Sequence, residues 1–235
     1  MRLIEGQPCE GFGTFARLHV LYQLACRIAS IKLSHPVRVA IDGVDAAGKT
    51  MLADELVAPI EKLGRIVIRG SIDGFHRPRI ERYEQGADSP EGYYYDSFDH
   101  AALRAALLDP LGPGGSQHYR RAVFDLSSDS PVEESLRESP VDAVLLFDGV
   151  FLLRPELADC WDYAIFVAVD FEIAVARAVV RDIARGADKN IAARYRTRYV
   201  PGQRIYLQSV RPQEHANVVL ENNDPSNPKL VLCEP

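Results

Sequence analysis

Eight consecutive residues, Gly43-Val44-Asp45-Ala46-Ala47-Gly48-Lys49-Thr50, have types and spacing suited to holding a polyphosphate. They match G-x-x-x-x-G-K-[ST], the phosphate-binding loop pattern. Gly43 and Gly48 let the backbone turn so that successive N–H groups point at one centre. A helix beginning here adds the positive end of its dipole. Lys49 can reach terminal phosphates and Thr50 can offer a hydroxyl to Mg²⁺. Asp45, Ala46, Ala47 and Met51, within and just past the loop, complete the candidate contacts to a bound nucleotide.

Other chemistry-bearing residues lie downstream. Asp148 ends an apolar run, the position of a carboxylate that helps hold Mg²⁺ beside such a loop. Its bland alternative is a strand-end Asp capping a turn. Asp73 follows another apolar run, and could accept the proton of an acceptor hydroxyl. Asp beside Gly74 is also a common turn pairing. His76 and Arg77 put two further substrate contacts close by. Arg177, Arg181 and Arg185 recur at i, i+4 and i+8, so they share one helix face. Three cations on one face suit a lid closing over phosphates, with Gly186 as a hinge. Asp182 and Asp188 could instead answer them on a solvated face.

The elements that must position these residues follow from periodicity. The runs at 37–41, 66–69, 143–147 and 163–169 are continuously apolar, as in parallel strands buried on both faces. Helical spacing lies between them, as parallel strands require. Ligands bind outside the carboxyl ends of such strands, so the loop at Gly43, Asp73, Asp148 and Asp170 fall on one rim. Met51 to Leu63 carries Leu52, Leu56, Ile60 and Leu63 on one side. Thr14 to Leu33 is an amphipathic helix, with Leu18, Leu21, Tyr22, Ala25, Ile28 and Leu33 on its apolar side, expected to pack on the domain's own sheet. Met1 to Gly13 is a loose, polar lead-in. Phe98 to Leu108 is helical, 111–116 a flexible link, and His118 to Leu126 a strand. Residues 127–140 form a charged excursion, and Ile191 to Val210 a helix interrupted at Pro201-Gly202. The expected fold is α/β, a three-layer P-loop NTPase with a mostly parallel central sheet. Residues 1–36 are lead-in and helix, and 37–235 the phosphate-loop domain with a lid around 177–190.

Composition narrows the class. The 235 residues are 47% hydrophobic and 26% charged, and 27 Lys plus Arg against 33 Asp plus Glu give a net charge of −6. That argues against a nucleic-acid-coating surface, which needs a basic face. Cys9, Cys26, Cys160 and Cys233 are scattered, without metal-ligand or disulfide spacing. A reducing cytoplasm is expected. No apolar run approaches the ~20 residues that span a bilayer, and no signal peptide is evident.

The motifs taken in order resemble the uridine kinase and phosphoribulokinase branch of P-loop kinases. They are Gly43 to Thr50, Asp73-Gly74-Phe75-His76, Phe98-Asp99-His100, Phe147-Asp148-Gly149 and Arg177-Ala178-Val179-Val180-Arg181-Asp182. Tyr195, Val200-Pro201, Ala216-Asn217-Val218-Val219 and Asn222-Asn223-Asp224 extend the likeness over 37–225. The resemblance implies ATP, Mg²⁺ and transfer of the γ-phosphoryl group to a primary alcohol. It implies Asp73 as base, Asp99 as a contact to the substrate hydroxyl, and the arginines as lid; Tyr119 and Arg194 are further candidate contacts to the acceptor. A nucleoside of the uridine or cytidine kind is the expected acceptor. A sugar phosphate, glycerate or pantothenate is the alternative. A GTP switch is disfavoured because no clear N/T-K-x-D motif is present. A non-catalytic nucleotide-binding module needs neither a base nor a lid. The partners implied are a small-molecule substrate and, at most, further copies of the chain, with no nucleic acid and no membrane.

Overall fold

Along the first strand Val37, Val39 and Ile41 face one apolar cluster while Ala40 faces a second, as the two-residue period of a strand dictates. Both faces are therefore covered. The computed structural model describes residues 14–186 and 190–233; Met1 to Gly13, with Cys9, and Asp188 lie outside them.

In chain order the elements are α1 (Phe15–Ser30), β1 (Val37–Gly43), α2 (Lys49–Lys62), β2 (Val67–Ser71), a 3₁₀ turn (Ile72–Phe75), α3 (Arg79–Arg82), α4 (Pro90–Asp96) and α5 (His100–Leu103). Four two-residue strands follow: β3 (His118–Tyr119), β4 (Phe124–Asp125), β5 (Ser130–Pro131) and β6 (Arg137–Glu138). Then come β7 (Val144–Asp148), β8 (Tyr163–Ala168), α6 (Phe171–Ala184), α7 (Ile191–Arg194), α8 (Val200–Val210), α9 (Pro212–His215), β9 (Val218–Glu221) and β10 (Lys229–Leu232). The six-stranded sheet has the order β10-β9-β8-β1-β7-β2. All its pairings are parallel except β10 on β9. The expected three-layer α/β architecture is what the chain adopts.

Helix α1 belongs to this core. Val20, Leu21, Leu24, Ala25 and Ile28 are buried with β1 and α2 residues, while Leu18, Tyr22 and Leu33 are exposed. No helix among the described residues is long and apolar enough to cross a membrane.

Several local expectations are corrected. The segment 118–126 is not one strand. Tyr119 pairs with Arg137, and Phe124 with Pro131, in separate two-residue ladders. Positive φ at Gln117 and Asp129 turns the chain beside them. The Gly-rich stretch 111–116 is packed rather than a free link: Leu111 is fully buried, and a Cβ on Gly115 would lie 2.3 Å from the Asp109 and Pro110 carbonyls. The helix at 191–210 is interrupted not at Pro201 but by a π-helical turn at Tyr195–Tyr199; Pro201 sits in the first turn of α8, where it has no donor to lose. Leu63 is the exposed cap residue of α2 rather than part of its buried side.

Candidate functional site

A cleft of about 1290 Å³ opens along the carboxyl ends of the sheet strands. Its floor is the loop joining β1 to α2. Gly43 has φ 151°, and a Cβ there would lie 2.5 Å from the Val167 carbonyl; Gly48 has φ 99°. Only glycine meets both demands. The Lys49 ammonium, buried, donates to the Val44 carbonyl at 2.7 Å within the loop. Burial holds its pKa below the ordinary lysine value, while Asp45, Asp42, Asp148 and Asp73 pull it back up. Four carboxylates around one buried ammonium leave it well placed to exchange its carbonyl for a phosphate oxygen.

Beside the loop, the Thr50 hydroxyl donates to Asp148 Oδ2 at 2.7 Å. The expected pair at the metal position is thus in contact. Arg69, from β2, donates to Asp148 Oδ1 at 2.9 Å and to the Leu146 carbonyl at 2.7 Å. One hydroxyl and one carboxylate oxygen suit Mg²⁺, a hard cation that takes few protein ligands and completes its shell with water and phosphate.

Under the loop, Asp42 accepts from the Gly43 N–H at 2.7 Å and from the Tyr206 hydroxyl. Burial raises its pKa to about 6, against the pull of those bonds. A carboxyl whose folded pKa exceeds its unfolded value, ordinarily near 3.9, stabilises fully below that value and loses the contribution as pH rises through 6. Urea melts at pH 4.5 and 7.5 should show Asp42→Asn gaining on the parent chain by an amount of order 2 kcal/mol across that interval. Equal shifts in both proteins would remove Asp42 from the pH dependence.

Arg17, Asn222 and Pro225 also line the cleft. The Asn222 amide donates to the Ala47 carbonyl at 2.7 Å, binding the end of β9 to the loop. Arg17, reaching in from α1, donates to the Pro225 carbonyl at 3.0 Å and pairs with Glu55. Arg177 donates to the Asn222 and Asn223 carbonyls at 3.1 and 2.7 Å. Asp170 reaches the rim but pairs with Asn223 and does not line the cleft.

Also lining the cleft, Asp73 projects from the 3₁₀ turn with its side chain 77% exposed. His76 Nε2 lies 3.6 Å from its Oδ1, and His76 Nδ1 contacts the Ser97 carbonyl at 3.1 Å. His76 holds the Asp73 carboxyl below the ordinary carboxylate range, so it is ionised at neutral pH. Arg181 donates to Asp182 at 2.8 Å and to the Tyr195 hydroxyl at 3.1 Å. Arg185 and Arg194 line the cleft and are exposed.

Of the expected site residues, Asp45, Ala46, Gly48, Lys49, Thr50, Met51, Asp73, His76, Asp148, Arg177, Arg181, Arg185 and Arg194 line this cleft, with Gly43 and Ala47 in the loop behind it. Three others do not. Asp99 is the N-cap of α5, accepting from the Ala102 N–H at 2.8 Å. Tyr119 is buried in the core cluster. Arg77 donates outward to the Phe98 carbonyl at 3.2 Å. Asp45 is also placed differently from a simple phosphate contact: its N–H is taken by Gln203 Oε1 at 2.8 Å.

The helix-face arginines therefore divide: Arg177 is tied to the Asn222 and Asn223 carbonyls, and Arg181 to Asp182 and Tyr195. Arg181→Ala should lower kcat about tenfold or more with little change in KM for ATP, because a cation facing the transferred group acts in the transition state. Arg177→Ala should chiefly raise KM for ATP. Identical profiles for the two variants in steady-state kinetics would refute the division.

No protein-family model matches the chain. Uridine-cytidine kinase B of Dictyostelium discoideum is 29% identical over 189 residues, covering 79% of this chain and 74% of that protein. A uridine kinase of Brevibacillus brevis is 25% identical over 80% of this chain and 86% of its own length. A solved structure described as a possible uridine kinase from Bacillus stearothermophilus superimposes with TM-score 0.67, at 23% identity, over 86% of this chain and 98% of that one. In sequence over four-fifths of its length, and in the P-loop kinase fold that carries the cleft, the chain is uridine kinase-like.

Proposed function

We propose that the chain is an ATP-dependent kinase that transfers the γ-phosphoryl group to a hydroxyl of a nucleoside of the uridine or cytidine class. One observation carries the reading: the phosphate loop and an exposed, ionised Asp73 share a single cleft. A binding module needs the first and has no use for the second.

In this reading the loop and Lys49 hold the β- and γ-phosphates. Asp73, kept in its carboxylate form and steered by His76, accepts the proton of the attacking hydroxyl and orients its oxygen. Arg181 meets charge developing on the transferred group. Thr50 and Asp148 would hold Mg²⁺, which supplies charge neutralisation between the phosphates. The named relatives are uridine and uridine-cytidine kinases, which supports the nucleoside as acceptor. Cys26, Cys160 and Cys233 are free thiols, in keeping with a reducing cytoplasm.

A second reading, an acceptor bearing a phosphate or carboxylate, is favoured by the cations of the cleft. Arg79 and Arg194 line it, and neither guanidinium has an ion-pair partner among the described residues. The deciding experiment measures ADP release with ATP and Mg²⁺ against nucleosides, sugars, sugar phosphates and small hydroxy acids. Turnover of uridine or cytidine is expected. Turnover of an anionic acceptor alone would establish the second reading, and tight ATP binding with no turnover would leave a binding module.

A further inference from the structure

A carboxylate inside a phosphate loop repels the ligand the loop exists to bind. Asp45 occupies that position, and neighbouring side chains engage one of its oxygens and its N–H. Its Oδ2 accepts from the Tyr93 hydroxyl at 3.1 Å and from Gln203 Nε2 at 3.0 Å. Its N–H donates to Gln203 Oε1 at 2.8 Å. Tyr93 comes from α4 and Gln203 from α8, so two elements outside the phosphate loop hold Asp45. Helix α4 precedes Ser97, whose carbonyl orients His76 beside Asp73.

These bonds leave one oxygen over. Oδ1 of Asp45 has no hydrogen-bond partner among the described residues, and Asp45 is half-buried with its side chain lining the cleft. Among those residues the one buried side-chain polar atom without a partner is Arg82 Nε, so Oδ1 is open to the cleft. Burial raises the Asp45 pKa above the ordinary carboxylate value; the Lys49 and Arg181 cations and the Tyr93 bond oppose that, and the like charge of Asp73 adds to it. The two carboxylates thus lie near enough to feel one another. Tyr93 stands edge-on to Phe151 and Tyr199, at 5.2 and 4.9 Å between ring centroids, giving the wall that carries Asp45's partner a fixed shape. A purely structural clamp would use Oδ2 and the backbone N–H and would gain nothing from a charged, open Oδ1.

We infer that Asp45 Oδ1 accepts a hydrogen bond from a second hydroxyl of the acceptor, while Asp73 takes the hydroxyl that is phosphorylated. Asp45 then selects polyol acceptors, and on a nucleoside it reads a ribose hydroxyl at C2′ or C3′. This assignment rests on the kinase reading above.

The test is a cycle between side chain and substrate, with uridine, 2′-deoxyuridine and 3′-deoxyuridine as acceptors. With the parent enzyme, one of the two deoxy compounds should lose about tenfold or more in kcat/KM, the scale of a hydrogen bond to a charged group. Asp45→Ser should raise KM for uridine by a similar factor and leave KM for ATP within about twofold. It should also abolish the penalty for that same deoxy compound. Asp45→Asn keeps an oxygen for Tyr93 and Gln203 and loses the charge, so it guards against a fold that fails in the serine variant and should show the same cancellation in weaker form. A deoxy penalty that persists undiminished in both variants, or equal rises in KM for ATP and uridine, would overturn the inference. Failure of the parent enzyme to phosphorylate uridine would instead overturn the nucleoside reading and this assignment with it.

Discussion

Lys49→Ala should lower kcat at least 10²- to 10³-fold, the scale of removing a preorganised cation or donor from a developing charge. It should leave the melting temperature within a few degrees. The structure supplies the reason for both halves. Among the described residues the ammonium makes a single hydrogen bond, to the Val44 carbonyl inside the loop that it serves, and bridges no secondary-structure elements. Burial already disfavours its charge, so its removal relieves a desolvation cost while depriving Asp42, Asp45 and Asp148 of a nearby cation, and the two effects oppose one another. The measurements are steady-state turnover on the identified acceptor and a thermal melt of the apo protein. A folded variant with parental kcat would place the phosphates elsewhere.

The residues readable from sequence were those whose role is local. Strand, glycine loop and helix are consecutive in the chain, and the positive φ of Gly48 is a demand of that loop alone. Asp148 and Asp73 were legible because the first ends an apolar run and the second lies just past one, and the ends of parallel strands face one rim. The contact between Thr50 and Asp148, 98 positions apart, followed from those two facts.

What sequence reasoning missed acts over long range through ordinary residue types. Gln203 sits in an unremarkable helical stretch and holds Asp45, 158 positions away. Arg17 lies on a helix whose spacing announced only packing, yet it lines the cleft. Arg69 ends a strand run and neutralises one oxygen of Asp148. Nothing in their neighbours' types distinguishes these side chains from solvated ones. The misplacement of Asp99 had a readable cause: Asp immediately before a helical run is a favoured N-cap, and that is how its carboxylate is used. Tyr119 was drawn toward the acceptor by its position in the resemblance, whereas burial among Leu107, Leu108 and Leu111 claims it for the core.

Asp73→Asn should cut kcat by about 10²- to 10⁴-fold, the usual worth of a positioned general base. That is roughly 3–5 kcal/mol at about 1.4 per tenfold. The turn-residue alternative is weakened by the structure. The 3₁₀ turn Ile72–Phe75 is capped by Ser71, whose hydroxyl accepts from the Asp73 N–H at 3.4 Å. Among the described residues the Asp73 carboxylate has no bond to the backbone; it stands 77% exposed, answered by His76 at 3.6 Å. Asn keeps the size and the turn while losing the charge and the basic lone pairs. Melting temperature should therefore hardly move, and ATP affinity should stay within a few-fold. His76 gives an internal control. His76→Gln leaves the carboxylate in place but releases it from its partner, so Asp73 should titrate nearer the ordinary carboxylate value, and the acid limb of the kcat profile should move to higher pH. Steady-state kinetics from about pH 3, below the ordinary carboxylate value, to about pH 8, with a melt and an ATP titration, read all of these. An Asn variant with near-parental kcat would return Asp73 to the turn. An acid limb unmoved in His76→Gln would separate that limb from Asp73, because the histidine is the largest influence holding its carboxyl down.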